Sequence, residues 1–145
     1  MNVGRYETDF HAWIEEQAAL LKAGQLARLD VPNLIEELES LARRERRELD
    51  QRLSALLEEL LKWQYQPEHR CASWRWKINW QRYELSLLLE DSPSLAKRLA
   101  GFLPDSYESA SRAALEETGF LKSPFPAECA YSAAEIMDND FWPGE

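Results

Sequence analysis

Residues 30–67 read DVPNLIEELESLARRERRELDQRLSALLEELLKWQYQP, and neither glycine nor proline occurs from 33 to 66. Asp30 stands where an N-cap belongs, and Pro32 is tolerated because first-turn amides have no intrahelical partner. Pro67 ends the run, since it removes an amide and clashes with the preceding turn. These signals predict a helix over residues 31–66, roughly 50 Å long at about 1.5 Å per residue. Its apolar stripe is uneven. Leu34, Leu38 and Leu41 lead in, and Leu49, Leu53, Leu56, Leu60 and Trp63 lead out at spacings of four and three. Between them Ala42-Arg43-Arg44-Glu45-Arg46-Arg47-Glu48 carries no large apolar side chain, and Glu45 falls where the stripe would continue. The helix therefore either crosses solvent there or breaks into two.

Helical signals continue on both sides. Upstream, Thr8 is a plausible N-cap, with Phe10, Trp13, Ile14, Gln17, Ala18 and Leu21 on one face until Gly24 offers a stop. Downstream, a helix is expected from about residue 73 to 90, with Trp74, Ile78, Leu85 and Leu88 on one face and Trp76, Trp80, Tyr83 and Leu87 beside it. Ser92-Pro93 opens another, which Pro104 is expected to kink or divide before Gly119 ends it. Ser132-Ala133-Ala134-Glu135 reads as a capping box for a last short helix. The fold class is thus all-α: one domain over residues 1–145, a bundle of four to five helices organised around the long one.

With 145 residues, five Gly and seven Pro, the chain has the length of one domain and few turn formers. A chain of this size buries about 68% of its unfolded surface, so folding requires neither disulfides nor a structural metal. Cys71 and Cys129 are too few for a disulfide scaffold and fit a reducing cytoplasm. Arg5, Glu7 and Asp9 sit near the N-terminus without a following apolar stretch, so neither a signal nor a transit peptide is expected. Leu87-Leu88-Leu89 is far short of the ~20 apolar residues of a membrane span. The net charge of −9 disfavours nucleic acid and anionic membrane as partners of the whole chain.

That total conceals a split. Residues 43–82 carry ten Arg or Lys against six Asp or Glu, a surplus of +4, while the flanks carry −13. From 62 to 83 cations alternate with aromatics, among them Lys62, Trp63, Trp74, Arg75, Trp76 and Lys77, a combination able to hold phosphates and stack bases. The plainer expectation is that the aromatics are core and the cations pair with the acidic flanks. Arg43, Arg44, Arg46 and Arg47 form a dense run, but Glu39 to Arg43, Arg44 to Glu48 and Glu48 to Arg52 are four-residue spacings, as on a solvated self-paired face.

Catalytic and metal chemistry find little footing. His11 and His69 have no Glu three residues before them, so a di-iron bundle fails. A magnesium-dependent nucleotide pyrophosphatase needs carboxylates on two facing helices, and Glu36 and Glu39 meet only Glu84 inside the helix after residue 73. Cys71 follows His69 by two residues, but a thiolate site needs a base held across space. No metal and no cofactor is expected.

Asp9-Phe10-His11-Ala12-Trp13 and Trp63-Gln64-Tyr65-Gln66-Pro67-Glu68-His69-Arg70 resemble the paired signatures of the bacterial domain of unknown function 29 family. The pieces between and after them follow the same order: Leu34-Ile35-Glu36-Glu37-Leu38-Glu39, Ser73-Trp74-Arg75, Asp91-Ser92-Pro93-Ser94-Leu95 and Glu116-Glu117-Thr118-Gly119. The resemblance extends from about Tyr6 to Pro143 and implies an all-helical fold. It carries over no activity, cofactor or catalytic residue. Read physically, Gln64, Gln66 and Arg70 surround the helix stop at Pro67. They either tie its open carbonyls to the first helix, with Asp9 meeting Arg70, or line a polar pocket walled by Trp13, Trp63 and Trp74. The candidate site is therefore Trp13, Trp63, Gln64, Tyr65, Gln66, Arg70, Trp74 and Arg75. The expected function is a non-catalytic helical interaction or adaptor module that engages a protein partner or self-associates through its charge polarity. Single-stranded nucleic-acid binding through 62–83, and an enzyme taking a small anionic substrate at the Gln64 to Arg70 pocket, are the alternatives.

Overall fold

The computed structural model describes residues 3–145, all of whose regular elements are helical. They form α1 (Val3–Thr8), α2 (Phe10–Lys22), α3 (Val31–Tyr65), α4 (Ala72–Asp91), α5 (Pro93–Ala96), α6 (Leu99–Thr118) and α7 (Ala133–Met137). Single 3-10 turns occupy Leu26–Arg28 and Pro67–His69. The architecture is all-α around one long helix, as expected, with α1 and α5 as short elements beyond the predicted ones. Among the described residues no helix is long and apolar enough to cross a membrane.

α3 runs unbroken for 35 residues. Residues 42–48 stay helical and largely exposed, so the helix crosses solvent rather than breaking. There, between Glu45 and Arg46, the chain divides into two compact units.

In the first unit Asp9, not Thr8, caps α2, its carboxylate accepting from the Ala12 N–H at 3.1 Å. Thr8 instead closes α1. Gly24 ends α2 at φ +69, the left-handed region that favours glycine. Asp30 gathers this unit at the start of α3. Its carboxylate accepts from the Trp13 indole at 3.0 Å and the Asn33 amide at 2.8 Å, while its own N–H donates to Gln17 Oε1 at 2.8 Å. Trp13, Gln17 and Leu20 are buried, and Tyr6 and Phe10 pack edge-on and stacked against the Trp13 ring.

The second unit is built on the other half of α3. Leu49, Leu53, Leu56, Leu57, Leu60 and Leu61 are all sealed from solvent, a stripe wider than a two-position seam. It meets Ile78 and Leu85 of α4, Tyr107, Ala110 and Ala114 of α6, and Ile136 of α7 in one core. Pro104 neither divides α6 nor ends it. The carbonyl it leaves without an amide belongs to Ala100, an exposed residue, so water can take the vacant bond. The break comes earlier, between Ala96 and Leu99. Gly119 closes α6 at φ +73, and Ser132 and Glu135 form the reciprocal capping box of α7.

Candidate functional site

The segment after α3 is a corner tied to the C-terminal tail. The Arg70 guanidinium donates to the Trp63 carbonyl at 2.8 Å, which α3 leaves open at its end, and to the Pro143 carbonyl at 3.4 Å. It also covers the Trp63 ring at 5.1 Å. Arg75 lies between Trp63 and Trp142, 5.0 and 4.5 Å from their ring centres. Gln64 Oε1 accepts from the Tyr131 hydroxyl. Gly144, at φ +81, lets the tail pass so close that a Cβ there would sit 2.9 Å from Arg70 Nη2.

Of the sequence candidates, Trp63, Gln64, Arg70 and Arg75 are thus brought into one cluster with Trp142 and Tyr131. Tyr65 packs edge-on against Phe125 instead, and Trp74 lies over Lys62. Gln66 has its backbone in the turn that follows α3, accepting from His69 N–H at 3.0 Å. Trp13 is held inside the first unit by Asp30. Asp9 caps α2, and Arg70 donates to the carbonyls of Trp63 and Pro143. What remains open at the corner is a cleft of about 180 Å³ lined by Trp63, Arg70, Cys71, Arg75 and Glu145.

Two charged side chains of the basic middle are sunk into the second unit. Lys62 is 2% exposed, with Nζ 3.0 Å from Glu117 and 3.2 Å from Glu59. Burial alone would push its pKa down; the bonds to the two carboxylates outweigh this and hold it above its ordinary value. Glu58 shares the cluster. Burial, then its bond to Glu117 and that carboxylate's charge, push its carboxyl up to about 7. Arg82 is 1% exposed and donates to the carbonyls of Ile136, Glu135 and Phe141 at 2.7, 3.5 and 2.8 Å. Burial pulls its pKa down, Asp138 partly restoring it. The pairing expectation holds for Lys62 and other cations, since Arg43 meets Glu36 and Glu39, Arg52 meets Glu48 and Glu84, and Arg75 meets Glu145, whereas Arg82 is met by backbone carbonyls.

The aromatics behave differently. Trp63 is buried, but Trp76, Trp80 and Tyr83 are 62%, 43% and 55% exposed on the outer face of α4, with Leu87 continuing the row. Trp76 and Trp80 stack 5.6 Å apart with planes only 5° from parallel. The expectation that the aromatics are core is corrected for these residues. Both faces of α4 carry apolar residues at helical spacing, and only the one with Ile78 and Leu85 meets the core.

In the first unit α2 and the start of α3 leave an apolar groove of about 230 Å³, lined by Ile14, Ala18 and Leu21 on one side and Leu34, Leu38 and Leu41 on the other. It is smaller than the ~300–1,000 Å³ of small-molecule pockets. Leu34, Leu38 and Leu41 begin the apolar stripe of α3, yet Leu38 and Leu41 are 65% and 55% exposed.

A larger cleft of about 400 Å³ lies between α6 and the loop after it, lined by Leu103, Pro104, Tyr107, Cys129 and Tyr131. The polar groups of Tyr107, Cys129 and Tyr131 are engaged there. The Tyr107 hydroxyl donates to the Pro126 carbonyl at 2.6 Å, and the Cys129 thiol to the Tyr131 carbonyl at 3.4 Å. Burial raises the pKa of both, away from a reactive thiolate. Nothing in the sequence pattern marked this cleft, because its walls are separated by a loop without periodicity. Among the described residues no group of three acidic, His or Cys side chains is placed to hold a metal ion.

An all-helical domain with engaged polar groups and two uncovered apolar surfaces is the class these observations define. The chain belongs to the family described as Domain of unknown function DUF29, whose model matches residues 5–142. No curated protein and no solved structure matches it.

Proposed function

We propose that this chain is a non-catalytic helical interaction module that works by presenting apolar helix faces to another macromolecule. The observation carrying this reading is the outer face of α4. Trp76, Trp80 and Tyr83 follow one another at spacings of four and three, as anchors do when an amphipathic helix enters a groove. Aromatic residues are the commonest anchors of protein interfaces, and three in a row exceed the scattered exposure ordinary surfaces show. Engagement of Gln64, Arg70, Tyr107 and Cys129 within the fold favours binding over chemistry. The two free cysteines suit a reducing cytoplasm.

Photo-crosslinking tests the reading. A crosslinking amino acid placed at Tyr83 in the full chain is expected to capture a discrete species in host cells, where the same group at exposed Gln51 captures none. Equal, diffuse crosslinking from both positions would sink it.

One observation favours nucleic acid as a second reading: the parallel Trp76 and Trp80 rings next to exposed Lys77 form a stacking platform with a cation beside it. Against it, Lys62, Arg70 and Arg82 are drawn into the fold. Retention on a single-stranded oligonucleotide column at low salt, lost when Arg75→Ala and Trp76→Ala are combined, would support that reading; no retention removes it.

A further inference from the structure

From the two uncovered surfaces we infer that the partner is a second copy of this chain, whose α4 aromatic row enters the apolar groove of the first unit. The inference rests on the interaction-module reading and names its partner.

The groove and the row match in form. Trp76, Trp80, Tyr83 and Leu87 occupy one side of a helix at positions i, i+4, i+7 and i+11. The groove is a trough between two helices whose walls, Ile14 to Leu21 and Leu34 to Leu41, each extend seven residues, about 10 Å at ~1.5 Å per residue. That admits about two turns of a third helix laid along it. Each surface is left uncovered within its own unit.

They also match in charge. Between residues 9 and 41 there are seven acidic and two basic side chains, and Glu37 itself lines the groove. α4 carries Arg75 and Lys77 ahead of its first acidic residue, Glu84, its other cation, Arg82, being buried. Arg75 and Lys77 flank the row and are exposed. An apolar trough with an acidic surround therefore faces an aromatic row with basic neighbours, an arrangement that steers approach and fixes partner choice. Contact of groove with groove or row with row would set like charges together. The unlike pairing is the one the charges select.

Because the contact is heterologous, complementation tests it. Sedimentation of the full chain is expected to show self-association that increases with concentration and weakens as salt is raised. Leu38→Glu spoils the groove and Trp80→Glu spoils the row. Each alone should raise the dissociation constant roughly 30-fold or more, as loss of a central anchor does. Mixed in equal amounts they should pair one to one, since each variant keeps the surface the other lacks. Circular dichroism and melting establish that each variant is folded, and Leu41→Glu replaces Leu38→Glu if the latter is not.

A wild-type chain that is monomeric at every concentration overturns the inference. So does a Trp80→Glu chain that still self-associates, or a mixture that fails to pair. A monomer whose Tyr83 crosslinks to some other macromolecule would refute the second copy while leaving the interaction-module reading in place. A monomer without crosslinks would refute both.

Discussion

Glu58 is protonated in the fold at a pH where it would be ionised in the unfolded chain, because it is partly buried and bonded to Glu117 beside Lys62 and Glu59. Its folded pKa of about 7 exceeds the ordinary 4.5, so the folded state binds the extra proton between those values. Its contribution to stability is therefore complete below the ordinary value, declines as pH rises, and is lost above about 7. Glu58→Gln keeps a donor for Glu117 and removes the ionisation. Melting at pH 8 should find the variant more stable than the parent, with the difference closing toward acid; parallel pH profiles would show that Glu58 holds no such proton. Neither this cluster nor Arg82 was legible in the sequence. Lys62 and Arg82 occupy positions that residue type assigns to the surface, and the groups that accept from them lie 53 to 59 residues away, apart from Glu59.

At the scale of elements, Arg82 fastens the C-terminal segment to α4. Its fork spans three carbonyls at the end of α7 and in the tail, of which that of Glu135 also accepts from the Asp138 N–H. Arg82→Leu would take away the donor that the Ile136 and Phe141 carbonyls share, at a cost of about 3 kcal/mol or more. Arg82→Lys should restore little of this, because a compact ammonium cannot replace a planar fork. Denaturant unfolding with intrinsic tryptophan fluorescence reads both variants, since Trp142 lies 5.5 Å from Arg82. Two similar midpoints near the parent's would refute the fastening role. The elements themselves were largely legible. α3 followed from leucine spacing between Asp30 and Pro67, α6 from its closing glycine, and α7 from a capping box whose two bonds are local. The division between Ala96 and Leu99 was not, because the residues there form a turn without Gly or Pro. The choice of α4's inner face was equally hidden. Trp74 with Ile78 and Trp76 with Trp80 have the same spacing, and only contacts with α3 and α6 decide which pair faces inward.

For the whole molecule, α3 carries two kinds of helix on one backbone. From Leu49 to Trp63 its bonds are shielded by a continuous core, whereas at 42–48 the same bonds stand in solvent with propensity and ion pairs alone to hold them. The ion pairs are weak individually, a few tenths of a kcal/mol each, so opening this segment costs far less than unfolding the second unit. Hydrogen exchange should therefore find amides of 42–48 much less protected than those of 53–61. Arg46→Gly sharpens the test. Loss of roughly 1 kcal/mol of helix propensity should speed exchange across 42–48 about fivefold and leave protection at 53–61 unchanged, because no core contact is removed. If Arg46→Gly lowered protection at Leu53 and Leu60 by the same factor, α3 would open as one cooperative rod, and the boundary between Glu45 and Arg46 would have no energetic meaning.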